Sequence, residues 1–104
     1  MHSTGAATRD FDVEADRLLI RDVAAGSSDA LGRLYDRHAS TVFALARRVV
    51  QAIEDAEEVV QDVFSQVWRD AARYEPGRAS VAGWIVMLTR ARAIDRLRAR
   101  QARP

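Results

Sequence analysis

The sequence predicts an all-α fold, a compact bundle of about four helices. Three observations point to it. Apolar residues recur at three- and four-residue steps in each long segment, the period of one helix face. Clusters of Gly, Ser and Pro separate those segments and supply stop signals between them. No stretch shows the strict apolar–polar alternation of a half-buried strand.

The elements follow in order. Residues 1–11, rich in Ser, Thr, Ala and Gly, are expected to be a disordered N-terminal segment, leaving 12–104 as the folded domain. A first helix is expected from about Val13 to Ala25, with Asp12 as its cap, Glu14 and Asp16 in its first turn and Gly26 as its stop. Ser27-Ser28-Asp29 restarts the chain into a helix reaching about Val50, with Leu31, Leu34, Tyr35, Val42, Leu45, Ala46 and Val49 at periodic positions. A third helix is expected from Asp55, where Asp55 and Glu58 have capping-box spacing, to about Arg73. Its apolar stripe is Val60, Phe64, Val67 and Trp68, and Val59 and Val63 widen that stripe beyond what one core contact requires. Pro76-Gly77 marks a loop over 74–78. Ser80 can then cap a fourth helix to roughly Arg100, packed through Val81, Trp84, Leu88 and Ala91.

Composition narrows the class. A chain of 104 residues makes one domain with a modest core. The absence of cysteine excludes disulfides and thiolate metal sites and suits a reducing, cytoplasmic setting. No apolar run approaches the ~18 residues of a membrane span, and no signal-peptide pattern opens the chain, so no membrane contact of its own is expected. Catalytic groups are scarce. His2 and His38 lie far apart, Tyr35 rather than Glu stands three residues before His38, and no phosphate-cradling glycine motif is present. No nucleophile is paired with a base, so a non-enzyme without metal or cofactor is expected.

Charge is segregated. Residues 1–75 carry nine Arg against fourteen Asp and Glu, a net of −5, whereas residues 76–104 carry seven Arg against one Asp, a net of +6. All sixteen basic residues are Arg beside nineteen Ala, which reads as a coding bias, so the choice of Arg over Lys carries little weight. The segregation itself suggests two surfaces for two different partners.

Two constellations carry the functional reading. The third helix shows Glu58, Gln61, Asp62 and Gln66 on its polar side. It is either a core helix with a solvated face or a helix held between the bundle and a partner. On the fourth helix, Arg92, Arg96, Arg100 and Arg103 fall within about an 80° arc at ~100° per residue, a basic stripe suited to a phosphate backbone. Asp95 stands three residues from both Arg92 and Arg98, the spacing of an intrahelical ion pair. The preceding loop brings Arg73, Tyr74, Arg78 and Ser80 near Trp84. Aromatic and guanidinium planes beside small polar groups suit unstacked bases, although Tyr74 and Trp84 serve equally well as closure of the bundle.

The run Asp55-Ala-Glu-Glu-Val-Val-Gln-Asp-Val-Phe-Ser-Gln-Val-Trp-Arg69 resembles the core-binding stretch, commonly D-A-E-D-x-V-Q-E-x-F-x-x-x-W, of bacterial extracytoplasmic-function sigma factors. The run from Ala79 to Arg98 resembles that family's next stretch, W-L-x-x-I-A-R-N-x-x-I-D-x-x-R, and Leu31-Gly-Arg-Leu-Tyr-Asp-Arg-His38 its usual opening. The resemblance spans about residues 13–103 and implies the helical domain called region 2. It implies docking of the third helix on the β′ clamp helices of core RNA polymerase, with Asp55, Glu58, Val59, Gln61, Asp62 and Gln66 in that contact. It also implies capture of the non-template strand of the −10 promoter element, with Arg73, Tyr74, Arg78, Ser80, Arg90, Arg92, Arg96 and Arg100 as the DNA-binding candidates.

An anti-sigma protein is the third partner implied. The family's frequent Asn is Ala91 here and Thr89 replaces an Ala, which removes one contact from any borrowed −10 preference. The family's second domain, which reads the −35 element, finds no counterpart after Arg103-Pro104, and a cut piece of a longer protein is expected. Two other readings stand beside this one. One is a protein-interaction module held by an anti-sigma partner without direct DNA binding. The other is a duplex binder using the fourth helix in a major groove, with Arg but no Asn or Gln to read adenine.

Overall fold

Each turn between helices has an identifiable local cause. The computed structural model describes the backbone of residues 4–102 and the side chains of residues 12–102. Within that range the helices are α1 (Thr4–Ala24), α2 (Ser28–Val50), α3 (Ile53–Asp70) and α4 (Val81–Ala102), with a 3₁₀ turn at Ala71–Arg73. No strand occurs among the described residues, and the all-α bundle read from the sequence is the fold the chain adopts.

Gly26 ends α1 at φ 99°, a conformation that favours glycine. Its N–H donates to the Val23 carbonyl at 2.9 Å and the Ser27 N–H to the Asp22 carbonyl at 3.0 Å, closing the helix with two of its orphan acceptors satisfied. Ser27 then caps α2, its Oγ accepting from the Ala30 N–H at 3.0 Å. Ser80 does the same for α4, accepting from the Gly83 N–H at 3.0 Å. Between α2 and α3 the reversal is tighter. Gln51 sits at φ 64°, the one non-glycine with positive φ among the described residues, and the Ala52 N–H reaches the Val50 carbonyl at 2.6 Å. This three-residue turn strains an L-residue, and the contact it gives α2 with α3 offsets that cost.

The helix starts differ from expectation at two places. α1 begins at Thr4, well before Val13, so Asp12 and Asp16 lie inside the helix and not at its N-terminus. The expected disordered segment 1–11 falls partly outside the described residues, which omit the backbone of 1–3 and the side chains of 1–11. α3 begins at Ile53 with Ala52 as N-cap and no side-chain cap bond, so the capping box at Asp55 does not form. Asp55 already lies in the first turn, and its carboxylate points to another helix.

The core explains the broad apolar face of α3. Leu34, Val42 and Ala46 of α2, Val59, Val63 and Val67 of α3, and Val81 and Ile85 of α4 are all essentially inaccessible. α3 packs against α2, α4 and α1 at once. Three neighbours need more apolar arc than one, so Val59 and Val63 face the bundle and not an outside partner. Burying each such side chain contributes about 1.5–3 kcal/mol. Thr89 enters this core without penalty because its hydroxyl donates to the Ile85 carbonyl at 2.7 Å.

A buried ionic clasp fixes α1. Asp16, 4% exposed, accepts from Arg37 Nε at 2.7 Å and lies 3.0 Å from His38 Nε2. Arg37 also donates to the Asp12 carbonyl at 3.0 Å. Burial pushes the Asp16 carboxyl up, but the hydrogen bonds from His38 and Arg37 outweigh it and leave its pKa below the ordinary value of 3.8.

Candidate partner and nucleic-acid surfaces

The outer side of α3 is polar and unpaired over most of its length. Glu57, Gln61, Asp62 and Ser65 are exposed, and Trp68 closes the row with 41% of its surface accessible. Gln66 is half-buried, 3.4 Å from Asp70, with its Oε1 lacking a partner. Beside this row runs a groove between α2 and α3, lined by Tyr35, Ala39, Phe43, Glu57, Val60 and Gln61. Tyr35 edges onto Phe64 with centroids 5.0 Å apart and still leaves 45% of itself in solvent. An acidic rim beside an apolar, aromatic groove fits a basic amphipathic helix.

Two of the six residues expected on the partner face are elsewhere. Val59 is core. Asp55 is turned toward α4, its side chain 5% exposed, where Oδ1 accepts from Arg96 Nε at 3.2 Å and Oδ2 from Arg100 Nε at 2.7 Å. Arg96 also donates to Glu58. The Arg100 hydrogen bond, helped by the one from Arg96 and opposed by burial, holds the Asp55 carboxyl below its ordinary pKa.

The same geometry corrects the basic stripe. α4 packs through Val81, Ile85, Thr89 and Ala93, while Ala91 is exposed. Arg92 and Arg96 therefore continue the packed side and do not oppose it. Arg92 binds Asp95 within its own helix at 2.8 Å, the intrahelical pair expected from the spacing. Trp84 and Leu88 pack against the core as expected, half-buried at the edge of this face, whereas Ala91 misled the sequence reading because the buried polar Thr89 breaks the apolar pattern of the true face. The outward face carries Met87, Ala91, Ile94 and Arg98 within about a 60° arc. Arg90 lies at its edge, and neither Arg90 nor Arg98 has an ion pair among the described residues. Arg103 lies outside the described residues.

The loop before α4 is closed by its own side chains. Tyr74 donates its hydroxyl to the Ala79 carbonyl at 2.6 Å and packs on Trp84 with centroids 5.4 Å apart. Burial raises the phenol pKa. Ser80 Oγ is occupied as a cap, and Arg78 pairs at 3.2 Å with Glu75 in full solvent. Arg73 is exposed. Across from Tyr74, α1 presents Arg17, Leu18 and Arg21 along a cleft that Ala72 and Pro76 complete. The sequence reading missed this α1 side. Its only signal was two Arg one turn apart with three apolar residues, Leu18, Leu19 and Ile20, between them.

The family model for sigma-70 region 2 matches residues 34–103, which covers α3, the loop, α4 and most of α2. The chain belongs to the sigma-70 region 2 family. It is 40% identical over 95 residues to an ECF RNA polymerase sigma factor, SigK, of Mycobacterium sp. (strain KMS), covering 91% of this chain and 47% of that protein. To the protein of that name from Mycolicibacterium vanbaalenii it is 40% identical over 99 residues, 94% of this chain and 50% of the relative. The chain thus spans about half the length of the curated relatives it matches. Among solved structures, that of CnrH in complex with the cytosolic domain of CnrY superposes with a TM-score of 0.72 at 30% identity, over 81% of this chain and 54% of that one.

Within a sigma region 2 fold, the Leu-Tyr-Asp-Arg-His run of α2 acquires a structural meaning. Leu34 fills the core, Tyr35 borders the groove, and Arg37 and His38 clasp α1. No described helix is long and apolar enough to cross a membrane.

Proposed function

We propose that this chain is the part of a sigma factor that docks on core RNA polymerase and opens the promoter −10 element during transcription initiation, in the cytoplasm. The observation that carries the reading is the region 2 match over residues 34–103, taken with a polar α3 face that the bundle leaves uncovered. Glu58, Gln61, Asp62 and Gln66 meet the β′ clamp helices, with the Tyr35–Phe43 groove beside them. Asp55 and Val59 contribute from behind, one by orienting α4 and the other by packing.

The non-template strand runs over the opposite side. Arg73, Tyr74, Arg78 and Ser80 border the strand in the loop, and Arg90 contacts it from α4. Arg92, Arg96 and Arg100 stand on the packed side of α4, where carboxylates hold them, so Arg90 and Arg98 are the phosphate contacts available first. A base that leaves the duplex loses stacking and regains it between aromatic and guanidinium planes. Ala91 offers no hydrogen-bonding group at its exposed position, so its base step goes unread by a side chain.

Fluorescence anisotropy with a single-stranded −10 oligonucleotide and the matching duplex tests the DNA half. Single-strand binding is expected to be the tighter, to fall with salt by about 0.7 log units per decade for each phosphate neutralised, and to weaken with Arg90→Ala. Duplex binding at least as tight favours insertion of α4 in a major groove. No binding to either favours a module for proteins only.

One observation supports a second occupant of these surfaces. The similar CnrH was solved with the cytosolic domain of CnrY, and the apolar groove of this chain suits a helix from an anti-sigma partner. Such a partner and the polymerase would compete, so the two occupants describe successive states of one protein.

A further inference from the structure

The outward face of α4 sets an apolar strip among uncommitted cations. Met87 is 59% exposed, more than any other large apolar side chain among the described residues, and Ile94 is 39% exposed. Ala91 lies between them and is exposed as well. At 1.5 Å per residue the strip covers about 10 Å of helix. None of its three side chains offers a hydrogen-bond donor or a strong acceptor. Arg98 shares its arc and Arg90 stands at its edge, neither with an ion pair among the described residues, whereas Arg92 and Arg96 are held by carboxylates. Single apolar residues on a surface need no explanation, but three on one arc between free guanidiniums call for an occupant.

We infer that Met87 and Ile94 select thymine: a strand held through its phosphates by Arg90 and Arg98 lays the 5-methyl groups of its thymines on the apolar strip. The inference rests on the proposed path of the single strand along α4. Charge decides the class of occupant. A second copy packed face to face here would set its own Arg90 and Arg98 against these two, whereas a polyanion neutralises them. Phosphate contacts position a strand without reading its sequence, so any selection falls to the strip. Aliphatic side chains provide no aromatic plane for stacking and no partner for a polar base edge. What they can recognise is the methyl group that thymine alone carries among the DNA bases. At ~3.4 Å per stacked nucleotide the strip spans about three nucleotides, so Met87 and Ile94 meet bases on either side of the step over Ala91. That middle step stays unread, because the Ala91 side chain is the shortest of the three.

Oligo(dT) and oligo(dU) of equal length carry the same phosphates and sugars and differ only in the methyl group. Fluorescence anisotropy at low salt measures their affinities for the whole chain as wild type, as Met87→Gln plus Ile94→Gln, and as Arg90→Ala, with helical content checked by circular dichroism. Wild type is expected to prefer oligo(dT) by about 3–10-fold, the size expected for burying one or two methyl groups. The Met87→Gln plus Ile94→Gln variant should bring that ratio close to one. Arg90→Ala should weaken the binding of both strands and preserve the ratio, because it removes a phosphate contact and leaves the strip in place.

Equal binding of the two strands by wild type, a comparison that needs no substitution, overturns the thymine selection and leaves the proposed function standing. A preference that survives in the folded Met87→Gln plus Ile94→Gln variant overturns it too, since the methyl is then read elsewhere. If wild type binds neither homopolymer the selection fails, and the −10 oligonucleotide decides separately whether the DNA half of the proposed function fails with it. A wild type that doubles its mass in light scattering, beside a variant that stays monomeric, assigns the strip to a second copy and also overturns the selection.

Discussion

Leu34→Ala is expected to destabilise the chain by about 3–4 kcal/mol, while Tyr35→Ala beside it costs about 1–2 kcal/mol. Leu34 is 0% exposed in the centre of the bundle, and its removal leaves a cavity that rigid helix backbones cannot collapse. Tyr35 is 45% exposed and loses one edge contact with Phe64 and part of a groove wall. For a domain of this size the first change lowers the melting temperature by roughly 15–25 °C. Thermal denaturation followed by circular dichroism checks the pair. The opposite ranking would mean that α2 is rotated about its axis, with Tyr35 and not Leu34 in the core. Tyr35→Ala should in turn be the more damaging to binding on the α2–α3 groove.

The second large effect concerns the clasp between α1 and α2. Asp16→Ala removes a carboxylate that accepts from Arg37 and His38 and leaves both without their partner. Breaking a fully buried pair typically costs 3–5 kcal/mol. Arg37 retains 29% of its side-chain surface in solvent and can rehydrate, so about 2–3 kcal/mol is expected here.

The clasp also predicts an acid dependence. The folded pKa of Asp16 is lowered relative to 3.8, so the folded state favours its ionised form. Its stabilisation is fully present above the ordinary carboxylate pKa. It declines as pH falls through 3.8 and is gone below the folded value. Asp55, lowered for a like reason, acts in the same direction and the same window. Denaturant midpoints from pH 6 down to pH 3 should therefore fall less steeply for Asp16→Asn than for wild type. Parallel curves for the two would remove Asp16 from the account.

Much of the bundle was legible because local signals and burial agree. Gly26, Ser27 and Ser80 announced their turns and caps, and the three- and four-residue steps of α2 gave Leu34, Val42 and Ala46 to the core. The misreadings share one cause. Charged and polar residues that satisfy one another between helices have no signature in a single helix's pattern. Asp16 read as an N-terminal charge and Asp55 as a cap, yet each is a buried acceptor for two residues of another helix.

Arg96 and Arg100 read as a free stripe for the same reason. Their carboxylate lies 41 and 45 positions earlier in the chain, beyond any window of periodicity. Thr89 added to the error by being polar and buried together. The outer row of α3 was the most legible part of the candidate site, because Gln61 and Asp62 are exposed where an isolated helical wheel places them.

That row is the proposed contact with the polymerase. The decisive measurement is binding of this chain to a purified β′ clamp-helix fragment, with wild type set against Gln61→Ala plus Asp62→Ala. Both substitutions lie at exposed positions and should leave the melting temperature within a few degrees of wild type. Wild type is expected to bind at micromolar affinity or tighter and the variant to lose at least about tenfold, the size expected when central polar contacts of an interface are truncated. No binding by folded wild type, or equal binding by the folded variant, would contradict it.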